Sequence, residues 1–299
     1  GFRPDPGAGY DWSADAGQRR VLQAAIDRGV DTVVAFSNSP PYWMTISRDA
    51  SGNGTGNRDG TDNLSEQNEL PFALYLANIA RHFRDGWGVH FHSLTPLNEP
   101  TAEWWDGDGG QEGCVFSRPR QPGLYDAVRT ALDAVGLSEL PVSGPEEVST
   151  ADSLASLESY PQQTRAMLSE FATHTYGGGD RAELDALAAA ERKPLWVSEF
   201  NTNGDDALDS ALRLASRIAL DLTSMPGVSA WVTWQVVEAR ELSHHWGQLR
   251  IWFDGGTEIF RTHQFDATAQ FSRFIRPGAR IIPAGRDDVV VAFDRARER

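Results

Sequence analysis

The feature that most constrains the fold is a regular alternation of short apolar runs with longer amphipathic stretches. Runs rich in β-branched and aromatic residues predict six strands, at 30–36, 89–97, 140–146, 171–176, 194–200 and 228–235. Apolar residues recur at helical spacing at 14–28, 67–84, 123–135, 181–192 and 205–223, with a shorter, weaker helical pattern after Ser149. Repeated units of this kind predict helices packed around a parallel sheet.

The C-terminal part of the chain follows a different pattern. A long polar and aromatic stretch comes after the sixth strand, followed by a helix-like segment at 264–275 and two short strand candidates at 281–282 and 289–293. The chain has 299 residues, enough for one α/β barrel of about 250. We therefore predict a single large (β/α)8 barrel of the TIM type, with no room for a second full domain.

Charge and cysteine content exclude several classes of partner and site. The chain carries 27 basic and 42 acidic residues, a formal net charge of −15, which disfavours nucleic acid and anionic membranes and leaves a neutral ligand unaffected. Cys114 is the only cysteine, so neither an intrachain disulfide nor a cysteine-based zinc site can form. No apolar run reaches the roughly 18 residues that a membrane span needs.

Two glutamates stand at the ends of predicted strands. Glu99 follows the second strand in TPLNEP, and Glu199 lies near the end of the fifth in LWVSEF. Catalytic side chains of α/β barrels gather at the C-terminal ends of the strands, so a closed barrel would direct both carboxylates into one mouth. A pair of carboxylates can serve as acid and nucleophile in glycosidic cleavage.

These motifs resemble those of the large clan of retaining barrel glycosidases. The segments SNSPPYWMT (37–45), LNEP, QEGC (111–114) and SEF together resemble glycoside hydrolase family 30, and QEGC after NEP is similar to its endo-β-1,6-galactanase branch. The resemblance covers most of residues 1–285. It implies that Glu99 is the general acid/base and Glu199 the nucleophile of a retaining mechanism, with no cofactor and no metal.

The resemblance also implies roles for residues around the two glutamates. Asn98 would hydrogen-bond the sugar hydroxyl next to the reacting carbon, and His174 and Tyr176 would orient the nucleophile and line the cleft. Trp43 and Trp234 look like sugar platforms, with core packing as the alternative. Trp104 and Trp105 follow NEP on its loop, and at least one of them is expected to line the subsites.

Other motifs do not indicate a site. The glycine-rich segment 52–60 opens no helix with a lysine, so it predicts a loop and not a phosphate cradle. His90 with His92, and His244 with His245, lack the further ligand spacing of a metal site.

By resemblance, the expected activity is internal cleavage of β-1,6-linked galactan in arabinogalactan side chains, by a secreted enzyme that is a monomer in its complete form. The same reaction on another β-glycan, such as β-1,6-glucan or xylan, remains open, as does a carbohydrate-binding barrel with impaired catalysis. Against the family pattern, the segment GFRPDPGAGYDW resembles the loop after the second barrel strand. We therefore expect an N-terminally incomplete barrel over 1–278, the start of a side β-domain over 279–299, and two unpaired edges at 30–36 and 228–235 that favour association.

Overall fold

The structure is a computed structural model that describes residues 1–54, 60–204, 208–242 and 245–294. Four sequence predictions fall partly or wholly outside these residues. They are the middle of the glycine-rich segment 52–60, the first residues of the helix at 205–223, His244, and the last five residues of the side β-domain at 279–299.

All six predicted strands are present, and they form the main sheet. They are β1 (Val34–Phe36), β2 (Ser93–Thr95), β3 (Val142–Ser149), β4 (Leu168–Gly177), β5 (Leu195–Phe200) and β6 (Val228–Thr233). The strand order is β1-β2-β3-β4-β5-β6, and the pairs β1–β2, β2–β3 and β5–β6 are parallel. Sequential parallel neighbours are the arrangement of a (β/α) barrel, so the predicted fold class is confirmed, with six strands in place of eight among the described residues. The order begins at β1 and ends at β6, the two edges expected from the sequence.

The predicted helices are also confirmed, and the weak pattern after Ser149 forms two short helices. The helices are α1 (Ala16–Ile26), α2 (Glu66–Trp87), α3 (Gln121–Ala134), α4 (Thr150–Ser159), α5 (Gln162–Met167), α6 (Arg181–Glu191), α7 (Leu208–Ser224) and α8 (His263–Ser272). Helices between consecutive parallel strands supply the crossover connections that such a sheet needs.

Helix α2 illustrates why these segments are helical. Glu66 and Glu69 lie in its first turn, where acidic side chains complement the helix dipole, and Gly88 ends it with a φ of 66°. One face is buried and includes Phe72 and Leu76. Helix α2 packs on α3, and a buried face on one side is typical of a helix that packs on the rest of the fold.

The polar stretch after β6 contains a small sheet that the sequence did not predict. Strands β7 (Val237–Ala239), β8 (Leu249–Ile251) and β9 (Ile259–Arg261) each have three residues; β7 pairs with β8 in parallel and β8 with β9 antiparallel. These short strands lie in a mixed polar and aromatic stretch without the longer apolar run by which strands are recognised. The two C-terminal strand candidates are confirmed as an antiparallel pair, β10 (Arg280–Ile282) and β11 (Val291–Phe293).

Contacts between Cα atoms divide the chain into two compact units. The first comprises Gly1–Val148 and Asp152–Phe171, and the second comprises Ser149–Ala151 and Ala172–Arg299. The predicted boundary at residue 278 between a barrel and a side domain remains a prediction.

Cys114 lies within the core of the first unit. It is buried, and its burial raises the pKa of the thiol to about 12. At neutral pH the side chain is therefore an uncharged thiol and a poor nucleophile. Among the described residues, no helix combines the length and apolar character that crossing a bilayer requires.

Candidate active site

Glu99 opens a tight turn in the first unit. The amide of Ala102 donates to the carbonyl of Glu99 at 3.0 Å, which closes a four-residue turn with Pro100 in its second position. Proline favours that position because its ring fixes φ near the value that common turns need. The motif Asn98-Glu99-Pro100 therefore folds into a defined turn in which Glu99 is buried, with 5% of its surface exposed.

The backbone of Glu99 is held in an uncommon conformation. Its φ is 44°, in the left-handed region that residues with a Cβ rarely occupy. Glu146, within β3, is in the same region with a φ of 61°. The amide of Glu99 donates to the carbonyl of Glu146 at 2.8 Å, so the two residues are joined through the main chain. Such conformations cost on the order of 1–3 kcal/mol each and cluster at functional sites, where the surrounding structure maintains them.

Trp105 supports this turn from within the protein. Its indole N–H donates to the carbonyl of Glu99 at 2.8 Å, and only 3% of its surface is exposed. A Cβ at Gly52 or Gly113 would collide with Trp105, which explains why the QEGC segment carries a glycine against this ring. Trp105 therefore has little surface to offer a sugar. Trp104 has 45% of its surface exposed and is the tryptophan of this pair that a ligand can reach.

Glu147 braces the next residue of the turn. Its Oε2 accepts from the hydroxyl of Thr101 at 2.7 Å and from the Thr101 amide at 3.3 Å. Its Oε1 accepts from Ser156 at 2.6 Å and from Gln121 Nε2 at 3.3 Å. Burial raises the pKa of Glu147, and these donors act in the opposite direction. Glu147 was not predicted from the sequence, although two adjacent acidic residues at the end of the predicted strand 140–146 were the available signal.

Asn98 and Trp43 differ in whether their polar side-chain atoms have hydrogen-bond partners. Asn98 is 2% exposed, and within the described parts of the chain neither its Oδ1 nor its Nδ2 has a hydrogen-bond partner. A buried amide without partners is costly unless a ligand or water completes it. The Trp43 indole donates to the carbonyl of Arg3 at 3.1 Å, and the Arg3 guanidinium lies 5.1 Å from the centroid of the ring. Arg3 therefore covers part of the ring that was predicted to be a sugar platform.

Glu199 lies near the end of β5 in the second unit, next to two of its predicted partners. The Tyr176 hydroxyl donates to Glu199 Oε1 at 3.0 Å, and Nδ1 of the buried His174 lies 3.7 Å from the same oxygen. His174 and Tyr176 are two residues apart on β4, so their side chains project from the same face of the strand. A hydroxyl donor stabilises the ionised form of a carboxylate and fixes its orientation.

Aromatic rings hold Tyr176 in this position. The ring centroid of Phe200 lies 5.2 Å from that of Tyr176, and the Trp246 ring lies 6.1 Å away and perpendicular to it. Trp234 follows β6, and its amide donates to the carbonyl of Phe200 at 3.0 Å, which brings the loop after β6 next to the end of β5. Trp246 was not identified from the sequence, because the loop that carries it has no periodicity.

His90 and His92, which lack the spacing of a metal site, lie outside this arrangement. His90 is exposed, and Nε2 of His92 lies 3.8 Å from Glu170 Oε2. His244 lies outside the described residues.

Comparison with known proteins gives a family and a relative. The protein-family model described as O-glycosyl hydrolase family 30 matches residues 4–171. An endo-β-1,6-galactanase of Hypocrea rufa is 32% identical to the chain over 293 residues, which cover 97% of this chain and 58% of that protein. The chain thus spans rather more than half the length of this curated relative.

Solved structures share the fold at lower identity. A conserved exported protein from Bacteroides fragilis has a TM-score of 0.74 at 23% identity, covering 98% of this chain and 65% of that one. The catalytic domain of the family 30 xylanase C from Talaromyces cellulolyticus has a TM-score of 0.68 at 19% identity, with coverage of 98% and 65%. The family model spans more than half of the chain. The chain belongs to O-glycosyl hydrolase family 30, a family of glycoside hydrolases.

Proposed function

We propose that this protein is a retaining endo-glycosidase that cleaves β-1,6-linked galactan, with Glu99 as general acid/base and Glu199 as nucleophile. The observation that carries the proposal is the hydrogen bond from the Tyr176 hydroxyl to Glu199 Oε1. A nucleophilic carboxylate has to be ionised and aimed, and this donor contributes to both. The similarity to an endo-β-1,6-galactanase supports the choice of substrate.

The proposed reaction has two steps. In the first, protonated Glu99 gives its proton to the glycosidic oxygen while ionised Glu199 attacks the anomeric carbon, so the C–O bond to the leaving sugar breaks and a glycosyl ester forms. In the second, Glu99 takes a proton from water, the water oxygen attacks the anomeric carbon, and the Glu199 carboxylate leaves. Two inversions retain the β configuration. The mechanism requires a separation of about 5–5.5 Å between the two carboxyl groups in the assembled site.

The surroundings of Glu99 suit its proposed role. The turn at Glu99 is fixed by hydrogen bonds from Ala102 and Trp105 to its carbonyl and from its amide to Glu146. A carboxyl on a fixed turn loses less freedom when it meets the glycosidic oxygen. Asn98, buried and with free polar atoms in the described structure, has the donor and acceptor that a sugar hydroxyl needs. We place the protein outside the cell, where arabinogalactan occurs, and one structural neighbour is likewise described as exported.

A substrate panel tests the proposal. The purified protein is incubated with de-arabinosylated arabinogalactan, β-1,6-glucan and glucuronoxylan, and the products are separated by chromatography. We expect mixed short galacto-oligosaccharides from the first substrate only, because internal cleavage of a β-1,6-galactan gives chains of several lengths. The Glu199→Gln variant is the matched control and should release none.

Other product patterns would decide between the alternatives. Release of xylo- or gluco-oligosaccharides without galactan products would show that the substrate is xylan or β-1,6-glucan. The proposed two-carboxylate reaction would still stand. Binding of galactan in calorimetry without any release of reducing ends would indicate a carbohydrate-binding barrel. Proton NMR of the first products gives the configuration, and an α product would contradict retention.

A further inference from the structure

Trp246 is a half-buried tryptophan beside the proposed nucleophile, in the segment between β7 and β8. Its ring lies 6.1 Å from that of Tyr176, whose hydroxyl donates to Glu199. We propose that Trp246 contacts the sugar bound at Glu199, and that Glu238 is the positioning residue that holds Trp246 there. The inference rests on the proposed glycosidase function and extends it to a substrate-binding residue that the motifs did not indicate.

The backbone of Trp246 is fixed on both sides by buried side chains. Glu238 on β7 is 3% exposed, and its Oε2 accepts from the amides of Trp246 and Gly247 at 3.0 Å each. Asn201, two residues after Glu199, is 2% exposed, and its Nδ2 donates to the carbonyl of Trp246 at 2.5 Å. A carboxylate that accepts two consecutive amides forms strong, charge-assisted hydrogen bonds. The main chain of Trp246 is therefore tied both to the small sheet and to the segment that follows the nucleophile.

Gly247 makes this close approach possible. A Cβ at this position would collide with the Cβ of Glu238 and crowd the carbonyl of Leu249. The segment is further tied to the chain after β6 by hydrogen bonds from the amides of Gln248 and Leu249 to the carbonyls of Gln235 and Val236. The tryptophan thus stands on a rigid support, which is a requirement for a preorganised binding residue.

The chemistry of the side chain points to a sugar as the ligand. An indole offers a flat apolar face and one N–H donor, which match the C–H face and hydroxyls of a neutral pyranose. A net charge of −15 does not oppose a neutral glycan. Tyr176 connects Trp246 to Glu199, since its hydroxyl donates to Glu199 and its ring contacts the indole. The proposal therefore places the indole against the sugar whose anomeric carbon meets Glu199.

Binding without turnover tests the proposal. In a Glu199→Gln background, which keeps the side-chain volume and an acceptor for Tyr176, β-1,6-galacto-oligosaccharides are titrated by calorimetry and by tryptophan fluorescence. Trp246→Ala should weaken binding by about five- to tenfold, the effect of losing one aromatic contact. Trp246→Phe should keep most of the affinity and reduce the ligand-induced change in fluorescence. Trp252→Ala is the matched control, because Trp252 lies next to the same small sheet and packs against Phe260 and Arg240.

The positioning role of Glu238 has its own readout. Glu238→Ala should weaken binding about as much as Trp246→Ala while Trp246 is still present, and Glu238→Gln, which keeps an acceptor oxygen, should restore most of the affinity. In the active protein these changes should raise KM more than they lower kcat. Unchanged affinity in Trp246→Ala, or an equal loss in Trp252→Ala, would overturn the inference while leaving the proposed function standing. If the protein without substitutions neither binds nor cleaves any glycan of the panel, the proposed function fails, and this inference fails with it.

Discussion

Replacing Glu199 by alanine is expected to lower the hydrolysis of β-1,6-galactan by at least about 10⁴-fold, as the removal of a catalytic nucleophile does in other covalent mechanisms. Without the carboxylate there is no group to form the glycosyl ester, and Tyr176 loses the oxygen to which it donates. Release of reducing ends, measured over hours, checks the loss.

Rescue by azide makes this prediction specific. Azide fits the space left by the carboxylate and attacks the anomeric carbon from the same side, so a single inversion should give an α-galactosyl azide, identifiable by NMR. Glu258→Ala, at an exposed carboxylate of the same unit, is the matched control and should retain activity without stimulation by azide. Undiminished turnover in Glu199→Ala would remove this residue as the nucleophile.

The second large effect is expected from Glu99→Ala, and it depends on the leaving group. Natural galactan needs a proton on its glycosidic oxygen, so kcat/KM should fall by about 10²–10⁴-fold, the usual contribution of a general acid. An aryl galactoside with an acidic phenol needs no proton, and its first step should proceed almost unchanged. Hydrolysis of the glycosyl enzyme then lacks its base, so a covalent intermediate should accumulate and be visible as a mass increase.

Azide again distinguishes the two glutamates. In Glu99→Ala it attacks the glycosyl enzyme formed on Glu199, so two inversions should give a β-galactosyl azide, the opposite anomer to that from Glu199→Ala. Glu103→Ala is the matched control, since Glu103 is an exposed carboxylate on the same loop. If Glu99→Ala slows aryl galactosides and galactan equally, Glu99 is not the acid.

The repeated units of the chain explain why most of the fold could be predicted. Strands such as β5, with Leu195 and Val197 fully buried, are apolar because helices cover a parallel sheet, and this leaves a clear signal in the sequence. The three-residue strands β7 to β9 leave no such signal in the sequence. They lie in a mixed polar and aromatic stretch, where no longer apolar run marks them as strands.

The residues of the candidate site likewise differ in whether the sequence could predict them. Glu99 and Glu199 could be found because each ends a predictable strand and carries a motif. The difference between Trp104 and Trp105, one exposed and one buried, could not, since a loop has no period that assigns a face. The supports Glu147 and Glu238 are defined by what they hold, Thr101 in one case and the amides of Trp246 and Gly247 in the other. Those pairings exist only once the chain has folded.

The packing of Trp105 also bears on how this protein could be redesigned. The loop after Glu99 carries two adjacent tryptophans, yet only Trp104 is open to change, because Trp105 fits against Gly52 and Gly113 and bonds the carbonyl of Glu99. In a library that randomises both positions, most members would therefore carry a displaced Glu99 turn. Varying Trp104 and its exposed neighbour Glu103, with Trp105 and both glycines kept, would change what the loop presents to a glycan while the turn that carries Glu99 stays in place.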